Sequence, residues 1–352
     1  MLKGLHELQL LSEKYNIAQT DIILMDLNIC GINSEIGADR VRFNLKFLNE
    51  KEKYFCALQL RKDSDYQITE GKLYYKDRLI AMVYDFEIDF CDPYYMRKNN
   101  TVLNINPKTR LNCEGCKFCY TSHQKSRSII DLTIPNNLEM FFKDWLQEYS
   151  KEDLSELYQI AVVSGCFQSE SALVNFLLEL DEKVSDMNFN GEIFYLGSQI
   201  QTKNAIKELS KIRHFAYSLS IECFNNREKF LRSSKSRFTL EQIKEIMETS
   251  TSYGYRTNFT YIVGLDSLRN LEKGVKDFRQ YVNSFPIFNI FQEHAYQNGL
   301  RNSEANHIEY YLKARKIIEE IFANSDFRPT TWEVCRTLWY TTFNSEKLWD
   351  KR

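Results

Sequence analysis

Residues 101–120 read TVLNINPKTRLNCEGCKFCY, and this stretch decides the fold. Its first part, residues 101–106, is a short apolar run of strand character. A loop follows that carries Cys113, Cys116 and Cys119 with two residues in each gap. Residues 136–149 then take up a helical pattern. The same rhythm of strand, loop and helix recurs downstream. Strands are predicted over residues 158–164, 192–196, 215–221, 256–263 and 286–291, and helices over 169–184, 202–212, 239–253, 270–282 and 304–322. Parallel strands need crossover helices, so six such units predict an α/β fold with a parallel sheet and helices outside it. The crossovers should be right-handed.

The flanks read differently. Residues 1–100 open with a helical stretch, 2–15, followed by strand-like runs at 21–27, 41–47, 54–60, 72–75 and 79–85. Their close spacing without long helices predicts an N-terminal α+β appendage built on a mostly antiparallel sheet. The core is expected over residues 101–300. Residues 301–352 form a C-terminal helical extension packed back on it, in which Arg315, Trp332 and Cys335 are read as packing and surface positions.

Composition narrows the class. Of 352 residues, 43% are apolar and 14% aromatic, which excludes a disordered chain. The formal charge of −2 gives no electrostatic case for nucleic acid or an anionic membrane. No stretch approaches 18 consecutive apolar residues, so no membrane span is expected. The N-terminus is punctuated by Lys3, Glu7, Glu13 and Lys14, unlike a signal peptide, and a cytoplasmic location follows as the expectation. Nine cysteines, mostly isolated, argue against a secreted disulfide framework.

The cysteine loop carries the chemistry. Thiolates are soft ligands suited to zinc or to iron–sulfur clusters, and two-residue gaps let a tight loop aim successive sulfurs at one centre. Bacterial ferredoxin runs use the same gaps, but they continue to a fourth cysteine followed by proline. Here Thr121, Ser122 and His123 follow instead. Three thiols on a [4Fe–4S] cluster leave one iron open to a small molecule. Zinc with His123 as a fourth ligand is the competing reading, giving a binding module, and a cluster-bearing electron carrier is another.

Cys113, Cys116 and Cys119 on the loop after the first strand of a βα series, with Phe118 and Tyr120 flanking the last of them, resemble the radical S-adenosylmethionine (radical SAM) superfamily. The resemblance covers roughly residues 104–298. Family loops usually space the cysteines by three residues and then two, whereas this chain has two and two, with Asn112 where the first would stand. The resemblance implies a partial (β/α)6 barrel, a [4Fe–4S] cluster on the three cysteines, and S-adenosylmethionine chelated at the open iron. It implies reductive cleavage to a 5′-deoxyadenosyl radical that takes hydrogen from a substrate, fed by a flavodoxin- or ferredoxin-type electron donor.

It also singles out further positions. Ser164 and Gly165 end the second strand, where the backbone of relatives receives the methionine amino group; Cys166 beside them is read as a packed residue. Ser220 and Glu222 share one face at the end of the fourth strand, with Glu222 preferred as the cofactor or catalytic carboxylate. Arg232 is the candidate partner of the cofactor carboxylate, with Lys235 and Arg237 competing. Ile262 and Gly264 stand on the adenine side, Tyr120 beside the cofactor, and His294, in Gln292-Glu293-His294, at the substrate. Without a second C-x2-C pair, auxiliary clusters are not expected, and a small-molecule substrate in biosynthesis is favoured over a peptide or RNA.

Overall fold

The computed structural model describes residues 2–108, 113, 115–127, 130–163 and 167–348. Two helices come first, α1 (Leu5–Tyr15) and α2 (Gln19–Cys30). Five antiparallel strands follow: β1 (Arg40–Phe47), β2 (Tyr54–Gln59), β3 (Tyr66–Thr69), β4 (Lys72–Tyr75) and β5 (Arg78–Ile88), in the order β2-β1-β5-β4-β3.

Residues 21–27, expected as a strand, are helical in α2. The reason is burial. Ile22, Leu24, Met25, Leu27 and Ile29 are fully buried, and so are Asp21, Asp26 and Asn28 between them. A helix covered on nearly every side loses the 3.6-residue apolar stripe by which it is recognised.

The second sheet has seven strands in simple chain order: β6 (Tyr94–Arg97), β7 (Val102–Ile105), β8 (Gln159–Val162), β9 (Glu192–Gly197), β10 (Phe215–Glu222), β11 (Arg256–Val263) and β12 (Ile287–Ile290). β6 runs antiparallel to β7, and every later pairing is parallel. The crossovers carry α3 (Pro135–Glu148), α4 (Glu170–Ser185), α5 (Lys203–Glu208), α6 (Arg227–Phe230), α7 (Ser233–Ser236), α8 (Leu240–Ser252) and α9 (Leu268–Phe278). After β12 come α10 (Ile308–Phe322) and a small hairpin, β13 (Thr342–Phe343) with β14 (Glu346–Lys347). The helices start where side-chain caps dictate. Ser169 accepts the Ala172 N–H, and Thr239 forms a capping box with Gln242.

All eight residues of β10 are buried, as expected for a parallel strand covered on both faces. The period of two then sorts its side chains. Tyr217, Leu219 and Ile221 join the main core under the helices. On the concave side, Ala161, Phe194, Ala216 and Ile287 make a separate apolar floor together with Val334. The sheet is thus a partial (β/α)6 barrel whose strands end, at their C-terminal edge, beneath the cysteine loop.

The N-terminal unit packs on this barrel. Gln292, just past β12, donates to Asn28 Oδ1 at 2.7 Å and to the Ala57 carbonyl at 2.8 Å. Arg315, expected as a packing or surface residue, is fully buried and pairs with Asp21 of α2 and with Glu319 at 2.8 Å. Its charge could not be read as buried from sequence because its partner stands 294 residues away.

Candidate functional site

The cysteine loop folds back on itself where glycine allows it. Gly115 has φ +74°, and a Cβ there would stand 2.7 Å from Ser122 Oγ. The Cys119 N–H donates to the Cys116 carbonyl at 2.8 Å, and Ser122 Oγ donates to the Cys119 carbonyl at 3.1 Å. Two contacts fasten the loop over the barrel mouth: the Lys117 N–H to the Phe230 carbonyl, 2.9 Å, and Gln297 Nε2 to the Lys117 carbonyl, 3.1 Å. Beneath it, Cys116 and Phe118 pack on Cys223, Phe230, Leu231 and Ile262.

Cations and donors gather around the thiols. Arg232 Nη1 lies 3.6 Å from Cys113 Sγ. Burial raises the Cys116 thiol pKa, while the Lys235 charge and the Arg232 N–H favour its thiolate. The expected convergence of the three sulfurs is not formed: among the described residues no group of three His, Cys, Asp or Glu side chains is gathered to hold one ion. His123 instead lays its ring against Tyr296, with centroids 4.3 Å apart.

The end of β10 is the strained part of the site. Glu222 sits at φ +70°, and the pairing with β11 shifts register between Ser220 and Glu222. Its carboxylate is engaged by Lys235, with Nζ 2.6 Å from Oε1 and both side chains about one-tenth exposed at 9% and 11%. Lys235 therefore faces Glu222, while Arg232 faces Cys113. Ser220, one turn of the pleat earlier, is 4% exposed. Ile262 meets the loop's apolar underside. Gly264 has φ +116°, its carbonyl accepts the Asn302 N–H at 2.8 Å, and a Cβ would meet Tyr311 Oη at 3.0 Å. Ser164, Gly165 and Cys166 lie outside the described residues, as does Asn112.

On the other side of the loop, Tyr120 stacks on His294, 4.4 Å between centroids, and Arg40 of the N-terminal sheet lies over the Tyr120 ring. Burial pushes the Tyr120 hydroxyl up to about 12, offset in part by Arg40. Burial pushes His294 down to about 3, helped by Arg40, Arg336 and His123, so the imidazole is neutral. His294 Nε2 is buried without a hydrogen-bond partner.

Two positioning residues escape a sequence reading. Arg227 spreads its guanidinium over four carbonyls, those of Ile221 at 2.7 Å, Cys223 at 3.1 Å, and Lys235 and Phe238 at 3.2 Å. Asp266 accepts the Phe224 N–H at 2.8 Å, the Asn225 N–H at 3.2 Å and the Tyr261 hydroxyl at 2.9 Å. Together they set the turn after β10 that aims Glu222 and Lys235. The only sequence signal is Asp266 at the end of its strand run, and nothing in the sequence marks its partners.

No protein-family model matches the chain, and no curated protein matches it. Among solved structures it is similar to Streptococcus suis SuiB bound to S-adenosylmethionine, at 11% identity and a TM-score of 0.40, over 55% of this chain and 41% of that one. SuiB bound to the precursor peptide SuiA gives 12%, 0.37, 54% and 38%. The Kitasatospora setae radical S-adenosylmethionine methyltransferase TsrM, with cobalamin and a [4Fe–4S] cluster, gives 11%, 0.38, 53% and 36%. This chain spans about two fifths of the length of each of these neighbours.

Proposed function

We propose that this chain is a radical SAM enzyme that acts on a small molecule. The reading rests on one observation: three cysteines, two residues apart, ride a loop over the C-terminal mouth of a partial (β/α)6 barrel, with Arg232 3.6 Å from Cys113 and the Lys235 charge within electrostatic reach of Cys116. The donor chemistry suits a [4Fe–4S] cluster: three thiols on one loop, an N–H donor and two cations to offset negative charge. Cys113, Cys116 and Cys119 would be its ligands. The cluster with S-adenosylmethionine supplies reducing and radical-generating chemistry when bound.

The chain's own residues then have distinct tasks. Arg232 and Lys235 would balance charge at the thiolates, and Arg232 would also pair with the cofactor carboxylate. Ser220, Glu222, Ile262, Gly264 and Tyr120 would line the cofactor's side; Ser164 and Gly165 are assigned to it from the sequence alone. Glu222 is positioned by its 2.6 Å contact with Lys235. His294, whose Nε2 is unpaired, would contact the substrate. The N-terminal sheet, through Arg40, closes one side of the mouth and keeps water out. An external one-electron donor of the flavodoxin or ferredoxin type completes the reaction.

Anaerobic reconstitution with iron and sulfide, followed by S-adenosylmethionine and dithionite, should release 5′-deoxyadenosine. Single Cys113→Ala, Cys116→Ala and Cys119→Ala variants should release none. Full activity in Cys113→Ala would break the ligand assignment.

A further inference from the structure

After α10 the chain returns without helix or strand until β13, and this strap climbs the inside of the barrel. It starts at the N-terminal rim. Glu333, 5% exposed, pairs at 3.0 Å with Arg256, the first residue of β11, which also grips Glu192, the first of β9. Val334 then fills the apolar floor beside Ala216 and Ile287. The carbonyl of Arg336 accepts the Ile290 N–H at 2.6 Å, at the C-terminal end of β12. Two residues above the floor, Arg336 therefore stands within the barrel below the mouth.

Its side chain is the exception in this interior. Arg40, Arg227, Arg256 and Arg315 each spend their guanidinium on carboxylates or carbonyls. The half-buried Arg336 side chain makes no hydrogen bond or ion pair with any described residue. It lies within electrostatic range of Arg40, Cys119, Glu222 and His294. Glu222 is already held by Lys235, and Arg40 by Asp89 at 2.6 Å. The same region holds the unpaired Nε2 of His294. A half-buried guanidinium whose donors no described residue takes, beside a second cation and an imidazole with an unpaired Nε2, leaves its fork available to an anion.

We propose that Arg336, with His294 Nε2, anchors an oxyanion of the substrate, a carboxylate or a phosphate, inside the barrel. The inference deepens the radical SAM reading by assigning the substrate's chemical class. A fork of parallel N–H donors fits either oxyanion bidentately, and an anchor on the strap places the rest of the molecule under the cysteine loop. The strap is thus part of the substrate site.

The test is calorimetric titration of the full-length chain with sodium succinate, inorganic phosphate and neutral succinamide. One of the two anions should bind, more tightly than succinamide, and which one identifies the oxyanion. Arg336→Gln should weaken that anion about tenfold or more, and Arg336→Lys less, since a point charge replaces the fork. Arg328→Gln, at an exposed pair with Glu346, should match the parent. Without anion, Arg336→Gln should unfold at the same or a higher temperature, because an uncompensated charge is removed; a clear fall would make Arg336 structural and overturn the proposal. So would equal anion binding by parent and Arg336→Gln, or no preference for either anion over succinamide. Loss of S-adenosylmethionine binding in Arg336→Gln with anion binding kept would move the residue to the cofactor and equally overturn it. Failure of the parent to release 5′-deoxyadenosine defeats the radical SAM reading alone and leaves the anion titration intact.

Discussion

Glu222 and Lys235 form an almost fully enclosed ion pair at a left-handed backbone position. Removing one partner leaves the other charge buried. Lys235→Met or Glu222→Leu alone should cost about 3–5 kcal/mol in urea unfolding, and the double variant less than the sum of the two. A purely additive result would mean the pair is not coupled. His294 gives a pH signature. Its folded pKa of about 3 lies below the ordinary 6.5, so the unfolded chain binds the proton first as pH falls. The stability it contributes is complete above about pH 6.5 and is lost as pH drops toward 3. Over that window the loss should reach a few kcal/mol, on the order of one per unit. His294→Phe should flatten that part of the stability–pH curve; an unchanged slope would show that the imidazole is not desolvated as described.

At the scale of elements, the turn after β10 is the part on which the site's geometry depends. Arg227 ties the Ile221 and Cys223 carbonyls to those of Lys235 and Phe238. Arg227→Met deletes these bonds and should cost about 2–4 kcal/mol. It should also weaken the binding of S-adenosylmethionine even in the fraction that stays folded, as read by equilibrium dialysis. The strands of this region were legible in sequence because β10 and β11 are short runs rich in apolar and aromatic residues between capped helices. Asn226 and Glu222 at positive φ were not, because neither is the glycine that announces such a conformation. α2 was misread for the opposite reason. Its Asp21, Asp26 and Asn28 interrupt the apolar stripe by which a helix is recognised, yet each is buried against a partner remote in sequence.

For the whole molecule, the N-terminal unit and the barrel are joined by buried polar contacts. Asp21 of α2 accepts from Arg315, from the Thr341 N–H at 2.8 Å and from the Thr341 hydroxyl at 2.7 Å. Asp21→Ala strips Arg315 of a partner and should lower the stability of both units together, by about 3–5 kcal/mol. Intrinsic fluorescence and far-UV circular dichroism should then shift in one shared transition; two separate transitions would show that the units fold independently. The order of the six βα units was legible because each strand–helix rhythm is local. The strap was not, because Glu333, Val334 and Arg336 take their meaning from strands up to 236 residues earlier in the chain, such as β6 (Tyr94–Arg97), whose Arg97 donates to the Glu333 carbonyl, and no periodicity marks them.

The central claim is that Cys113, Cys116 and Cys119 hold one iron–sulfur cluster. Iron, acid-labile sulfide and zinc should be measured together on the anaerobically reconstituted full chain and on its three single Cys→Ala variants. The parent should carry about four iron and four sulfide per chain, no zinc, and a visible charge-transfer band, all lost in each variant. One zinc per chain with no sulfide, or iron and sulfide retained when Cys116 is replaced, would contradict it.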